Sequence, residues 1–439
     1  MLKKDAEIDM TDVEWTPIYV NGYQGADIVT LIGNGATLKN LDAPLFKGGF
    51  AGGSGIVIKD LTITESKVVS TNEQGSGAFI ECVDSMETIT LDNCHFTNST
   101  LSGSRTGGLV GWTSGYSNEN DGPVKTYVTI KNCSVVGVKI NATGSAAAIN
   151  GHAGASDWTY TTIENCTVKD CTINSTDDGD WHTGVVVGTA NVGEVTINNI
   201  TESGNTLTQT VKEAPTTGFK RNYYGRFVGG STGKLIIDGC AIANTQASLL
   251  TALDDKEVAT VYLGEGKYVP SLYPGDIPTR ESLTIIGAGA DKTQFAYTGT
   301  NYAGQFSLSG FDSITIRDCE VLKRENVKEW GMIVFGSSNN ANGVYTFDNC
   351  TFNGVGTTGI YINENVSGAT YNILNCTFNG DFGSEGAISI QNNANVDHIV
   401  KVLGCTFNEV TSNKIYVHYA YDGWTLNTDL TDGIVWANK

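Results

Sequence analysis

The stretch Thr88-Ile89-Thr90-Leu91-Asp92-Asn93-Cys94-His95-Phe96 decides how this chain is read. It places an apolar residue three positions before a cysteine and another two positions after it. Inward positions of one continuous strand are separated by even numbers, so the step of three from Leu91 to Cys94 breaks phase and requires a bend. The residue at the break is Asn93, a type that enters the left-handed backbone region cheaply. Copies of the block recur at 128–135, 162–168, 235–242, 314–321, 345–352, 372–378 and 402–407. The break residue in them is Asn132, Asn165, Gly239, Asp318, Asn349, Asn375 or Gly404, and Val135, Val168, Ile242, Val321, Phe352, Phe378 or Phe407 follows two places after the cysteine. A strand, a one-residue left-handed bend and a second strand, stacked on copies of themselves, form one corner of a parallel β-solenoid.

A third element follows in most units, a short apolar run between glycines: Gly107-Gly108-Leu109-Val110-Gly111, Gly184-Val185-Val186-Val187-Gly188, Gly225-Arg226-Phe227-Val228-Gly229 and Gly331-Met332-Ile333-Val334-Phe335-Gly336. Three strands per unit predict a three-sided coil. A βαβ barrel would need amphipathic helices between strands, and loops such as 112–124 offer none.

The 439 residues carry 27 Lys and Arg against 47 Asp and Glu, a formal charge of −20, which argues against a nucleic-acid partner. Hydrophobic residues make up 40% and charged residues 17%, enough to bury a core and too little charge for a disordered chain. No apolar run approaches the ~18 residues of a membrane span. Met1-Leu2-Lys3-Lys4-Asp5 leads into acidic sequence without a signal-like apolar segment. An exported location therefore assumes that such a signal has been removed.

The asparagine bend before a stacked cysteine, within a three-strand coil, resembles right-handed parallel β-helix proteins of the pectin-lyase-like superfamily. Gly107–Gly111 and the opening Gly33-Asn34-Gly35-Ala36-Thr37-Leu38-Lys39-Asn40-Leu41 are similar to GLUG-type repeats of bacterial surface proteins. From Ala259 the sequence is similar to the first coils of pectin methylesterase-like β-helices. The apolar residues 249, 250 and 253 in 248–255 predict a short helix, and the resemblance implies that it caps a new solenoid. Two tandem β-helices are expected: 1–246 with GLUG-like repeats, and 247–439 with its own cap.

Ten cysteines invite a disulfide framework, but stacked cysteines have parallel Cβ vectors that do not converge. Only Cys166 and Cys171 are close in sequence, too few for zinc. A column of free buried thiols is expected, with no metal and no cofactor.

Long insertions at 112–124, 151–160, 174–183 and 208–224 flank the glycine-bounded strand of the first solenoid, and the resemblance implies a sugar groove along that face. They carry Trp112, Tyr116, Trp158, Trp181 and Tyr224. Tyr302 and Trp330 precede the equivalent strands of the second solenoid. An exposed ring stacks on a sugar at low entropic cost; otherwise it covers the apolar edge of its own loop. The acidic stretches 119–121 and 177–180 lack a complete calcium-loop pattern and read as solvated surface. His95, His152, His182, His398 and His418 are too scattered for a triad, and the arginine and paired aspartates of related enzymes are missing. No catalytic residue is assigned. The expected function is non-catalytic binding of a neutral glycan, or adhesion, by a secreted or surface protein. The alternative is a polysaccharide lyase or glycoside hydrolase working in the groove of the first solenoid.

Overall fold

The computed structural model describes residues 1–20, 28–48, 54–118, 122–176, 182–209, 227–231, 233–270, 277–278, 280–296, 305–306, 311–322, 331–335, 342–364, 369–392, 399–418 and 434–437. The chain forms a nearly all-β parallel solenoid, as the repeat predicts. It divides into two compact units, Met1–Gly239 and Cys240–Lys439.

In the first unit one coil runs through a leading strand Thr126–Lys131, a trailing strand Ser134–Val136, and third, fourth and fifth strands Lys139–Ala142, Ala146–Ala147 and Asn150–Ala153. Each pairs in parallel with its copy in the next coil, for example Ile130 with Ile163 and Val135 with Val168. The bends fall where the phase break predicts. Asn93, Asn132 and Asn165 have φ of 55°, 55° and 53°, and their side chains point outward. There Asn93 Nδ2 donates to Asp60 Oδ1 at 2.9 Å and Asn132 Nδ2 to Asp92 Oδ1 at 2.9 Å. Two further bends, Asp60 (φ 53°) and Asn199 (φ 51°), serve coils that lack the cysteine. Leu61 takes its place there, in register with Cys94.

The glycine-bounded segment of this unit is two strands, not the single one expected. Thr106–Gly107 ends in a bend at Gly108 and Leu109, and Val110–Ser114 leaves it. Leu109 and Val110 are fully buried, and the bends stack too, since Leu109 N and Val110 N both donate to Ile149 O at 3.1 and 3.0 Å. The glycines allow the pinch. A Cβ on Gly107 would lie 2.0 Å from Val110 O and 2.3 Å from Gly151 N, and one on Gly111 would lie 2.2 Å from Glu81 O. Fourth and fifth strands therefore touch backbone to backbone.

The second unit keeps the expected three strands per coil, such as Val344–Asp348, Thr351–Val355 and Thr358–Glu364. Phe352, Phe378 and Phe407 stack in register with centroids 4.9 and 5.1 Å apart and planes within 10°. Phe352 and Phe378 are fully buried and Phe407 is partly so. A helix, Gln246–Asp254, is held at its start by a reciprocal cap between Thr245 and Ser248. It buries Leu249, Ala252 and Leu253 and leaves Leu250 46% exposed, so its apolar face is rotated from the expected one. Buried Arg280 ties down its far end, donating to Leu253 O and, at 2.7 Å, to Val258 O. The strand Cys240–Ala243 precedes the helix, and its Ala241 and Ala243 share the same core, so the unit begins before residue 247. At the other end Ile434–Ala437 pairs antiparallel with Ile399–Leu403 and covers that strand edge.

All ten cysteines are free. Cys94, Cys133, Cys166, Cys350, Cys376 and Cys405 donate to backbone carbonyls of their own and the preceding coil, as Cys350 Sγ does to Asp348 O at 3.6 Å and to Ile316 O at 3.4 Å. Burial, with the Asp318 charge, pushes the Cys319 thiol up to about 12, and burial pushes Cys171 up as well. Since the thiolate is the nucleophile, a thiol reagent at pH 8 should label at most the half-buried Cys240 and Cys405 in the native protein and all ten in denaturant. Rapid native labelling of Cys350 or Cys376 would contradict the stacking.

Candidate functional site

The candidate rings of the first unit fall into different settings. Trp112 stands within the fifth strand Val110–Ser114, not in the loop after it, because its backbone pairs in register with Cys82 on one side and His152 on the other. It is half-buried, and a Cβ on Gly75 would lie 2.5 Å from its Cβ. His152 beside it is 2% exposed, and burial together with the Arg105 charge pushes its imidazole down to about 3, so the ring is neutral near pH 7. Tyr116 opens an antiparallel hairpin, Tyr116–Asn118 with Gly122–Val124. Trp158 is half-buried in the turn before Thr159–Glu164. Trp181, Tyr224, Tyr302 and Trp330 lie outside the described residues, as do the acidic stretches 119–121 and 177–180 and His398.

Leading strands assemble a different aromatic surface. Tyr127 and Tyr160 are register partners on adjacent coils. Their neighbours Thr126, Val128, Thr159 and Thr161 are buried, so alternation along the strand turns both tyrosines outward. The rings stack with centroids 5.2 Å apart and planes 19° apart. Tyr127 remains 46% exposed, and its partner in the preceding coil is the small Thr88. Lys125 Nζ lies 5.8 Å from the Tyr160 ring centre. Thr126 N donates to Trp158 O at 2.8 Å, which places Lys125 and Trp158 side by side on neighbouring coils. Further along the column stand Glu194 and Lys234, paired at 3.1 Å.

No protein-family model matches this chain, and comparisons with curated proteins and with solved structures find no match.

Sequence reasoning picked Trp158 and missed Tyr127 and Tyr160. Both stand five residues before a bend asparagine, Asn132 and Asn165, and that shared offset was the signal that could have found them.

Among the described carboxylates, Glu81 is the most enclosed, at 6% exposure. Ser70 Oγ donates to its Oε1 at 2.5 Å, Asn72 Nδ2 to its Oε2 at 3.2 Å, and Lys47 Nζ lies 3.8 Å away. Burial pushes Asp84 up, against the opposing hydrogen bond from Ser85. Among the described residues no three His, Cys, Asp or Glu side chains gather as a metal site. No described helix is long and apolar enough to cross a membrane.

Proposed function

We propose that this chain is a non-catalytic, secreted or cell-surface β-helix protein of the pectin-lyase-like kind, with GLUG-type repeats, that binds neutral glycans as a carbohydrate-binding or adhesive surface. The observation that supports it is the outward, stacked and partly exposed Tyr127–Tyr160 pair, with Trp158 and Lys125 next to it. Rings held by register on adjacent coils offer a rigid apolar surface to the C–H face of a sugar, so little conformational entropy is lost on binding. The formal charge of −20 disfavours anionic polymers, which makes a neutral glycan the preferred ligand.

The combined variant Tyr127→Ala, Trp158→Ala, Tyr160→Ala should weaken retention on neutral glycans by at least about tenfold, ~1.4 kcal/mol. The thermal melt should stay close to wild type, because none of the three is fully buried. A variant that folds and binds as wild type does would sink the assignment of this surface. Trp112→Ala serves as the contrast: its ladder neighbours Cys82 and His152 are both buried, unlike those of Tyr127, so its loss should lower the melt.

A further inference from the structure

We propose that the first unit carries a second glycan site, a groove beyond the third strands that takes a linear neutral polysaccharide lying along the stacking direction. It shares the ligand class of the reading above but uses a different surface. The groove has a volume of about 430 Å³ and is lined by residues 69–73, 102–104, 141–143 and 176, one set from each of four successive coils. Register makes the lining periodic. Val69, Ser102 and Asn141 are ladder partners in one outward column. Two residues further along each coil, Thr71, Ser104, Thr143 and Thr176 supply a second row of hydroxyls.

Three features fit this lining to a neutral, hydroxyl-rich polymer. Among the described residues it is almost uncharged in a strongly acidic chain: Glu73 is the one carboxylate and no lysine or arginine is among them. Arg105, next to Ser104, is turned to Gln74 O at 3.1 Å. A polyanion would therefore find no cation among the described lining residues to hold it, whereas hydroxyl and amide groups both donate to and accept from sugar hydroxyls.

The walls are also fixed before any ligand arrives. Thr143 Oγ1 donates to Gly103 O at 3.5 Å and Thr176 Oγ1 to Ala142 O at 3.3 Å, and an amide relay runs from Asn174 Nδ2 to Asn141 Oδ1 at 3.3 Å. At the Glu73 end, buried Glu81 pins Ser70 and Asn72 from below, and Asn72 Oδ1 accepts from Gln74 N at 2.9 Å. Lastly, coils repeat at ~4.8 Å, close to the length of one sugar in an extended chain, so each coil can meet one residue of the polymer.

The test uses affinity electrophoresis of the full chain in gels containing soluble neutral glucans, mannans or xylans, with di- and tetrasaccharide fragments as competitors. Thr143 is exposed, so Thr143→Trp should fill the groove without disturbing the melt. The expected result is at least tenfold weaker retention of that variant on the polymer that wild type prefers. Competition by the tetrasaccharide should exceed that by the disaccharide at least tenfold. Unchanged retention of a folded Thr143→Trp overturns the groove. If Tyr127→Ala with Tyr160→Ala then abolishes retention, the tyrosine surface stands alone. Should wild type be retained by none of the neutral polymers, both sites fall. An Asn141→Ala variant gives an independent reading of the same groove, expected to weaken retention severalfold and to overturn the proposal if it binds as wild type does.

Discussion

Gly107→Ala is expected to destabilise the first unit by about 3 kcal/mol or more, at the upper end of the usual cost of overpacking. The added methyl would meet Val110 O at 2.0 Å, Gly151 N at 2.3 Å and the Asn150 carbonyl carbon at 2.8 Å. Every one of these is a backbone atom. Val110 and Asn150 are fully buried and paired to one another across coils, so neither can retreat without breaking the ladder. Gly144→Ala is the matched control, since its Cβ would meet nothing closer than Arg105 Cγ at 3.4 Å, and it should cost well under ~1 kcal/mol. Urea melts of the two variants separate the cases. Equal losses would mean that fourth and fifth strands are not in backbone contact.

Phe378→Ala should cost ~3–5 kcal/mol, the range for removing a large aromatic from a packed core. Its ring is fully buried between Phe352 and Phe407, with Phe382 meeting its edge at 5.8 Å. The loss combines transfer of the ring with two forsaken stacking contacts and a cavity that neighbours held in strand register cannot collapse into. Thr377→Ala, one residue away on the outward side, should cost less than ~1 kcal/mol. Comparable losses from both substitutions would show that inward and outward faces had been exchanged.

What was legible in the sequence followed from whether a local rule repeats in the text. The phase break from Leu91 to Cys94 is a backbone constraint that each copy must satisfy, so the bends at Asn93, Asn132, Asn165, Asn349 and Asn375 could be read residue by residue. The bends at Asp60 and Asn199 were missed because the cysteine served as the marker, while the position itself asks only for a buried group such as Leu61. The extra strand of the first unit was hidden for another reason. Gly107-Gly108-Leu109-Val110-Gly111 shows an apolar run between glycines, but the reversal within it depends on the next coil's backbone filling the space that the missing Cβ atoms leave. Aromatic surfaces were the least legible. A ring in a long insertion attracts notice, yet Trp112 belongs to a strand ladder, and the exposed stacked pair comes from Tyr127 and Tyr160, which hide inside otherwise ordinary repeat copies.

The most direct test of the functional account is a glycan array of the wild-type chain, read together with an assay for new reducing ends on the same polymers. The account predicts retention on one or more neutral polysaccharides, weak or absent retention on polygalacturonate, and no rise in reducing ends. Release of reducing ends from a retained polymer would contradict the non-catalytic reading, and retention confined to anionic polymers would contradict the choice of ligand.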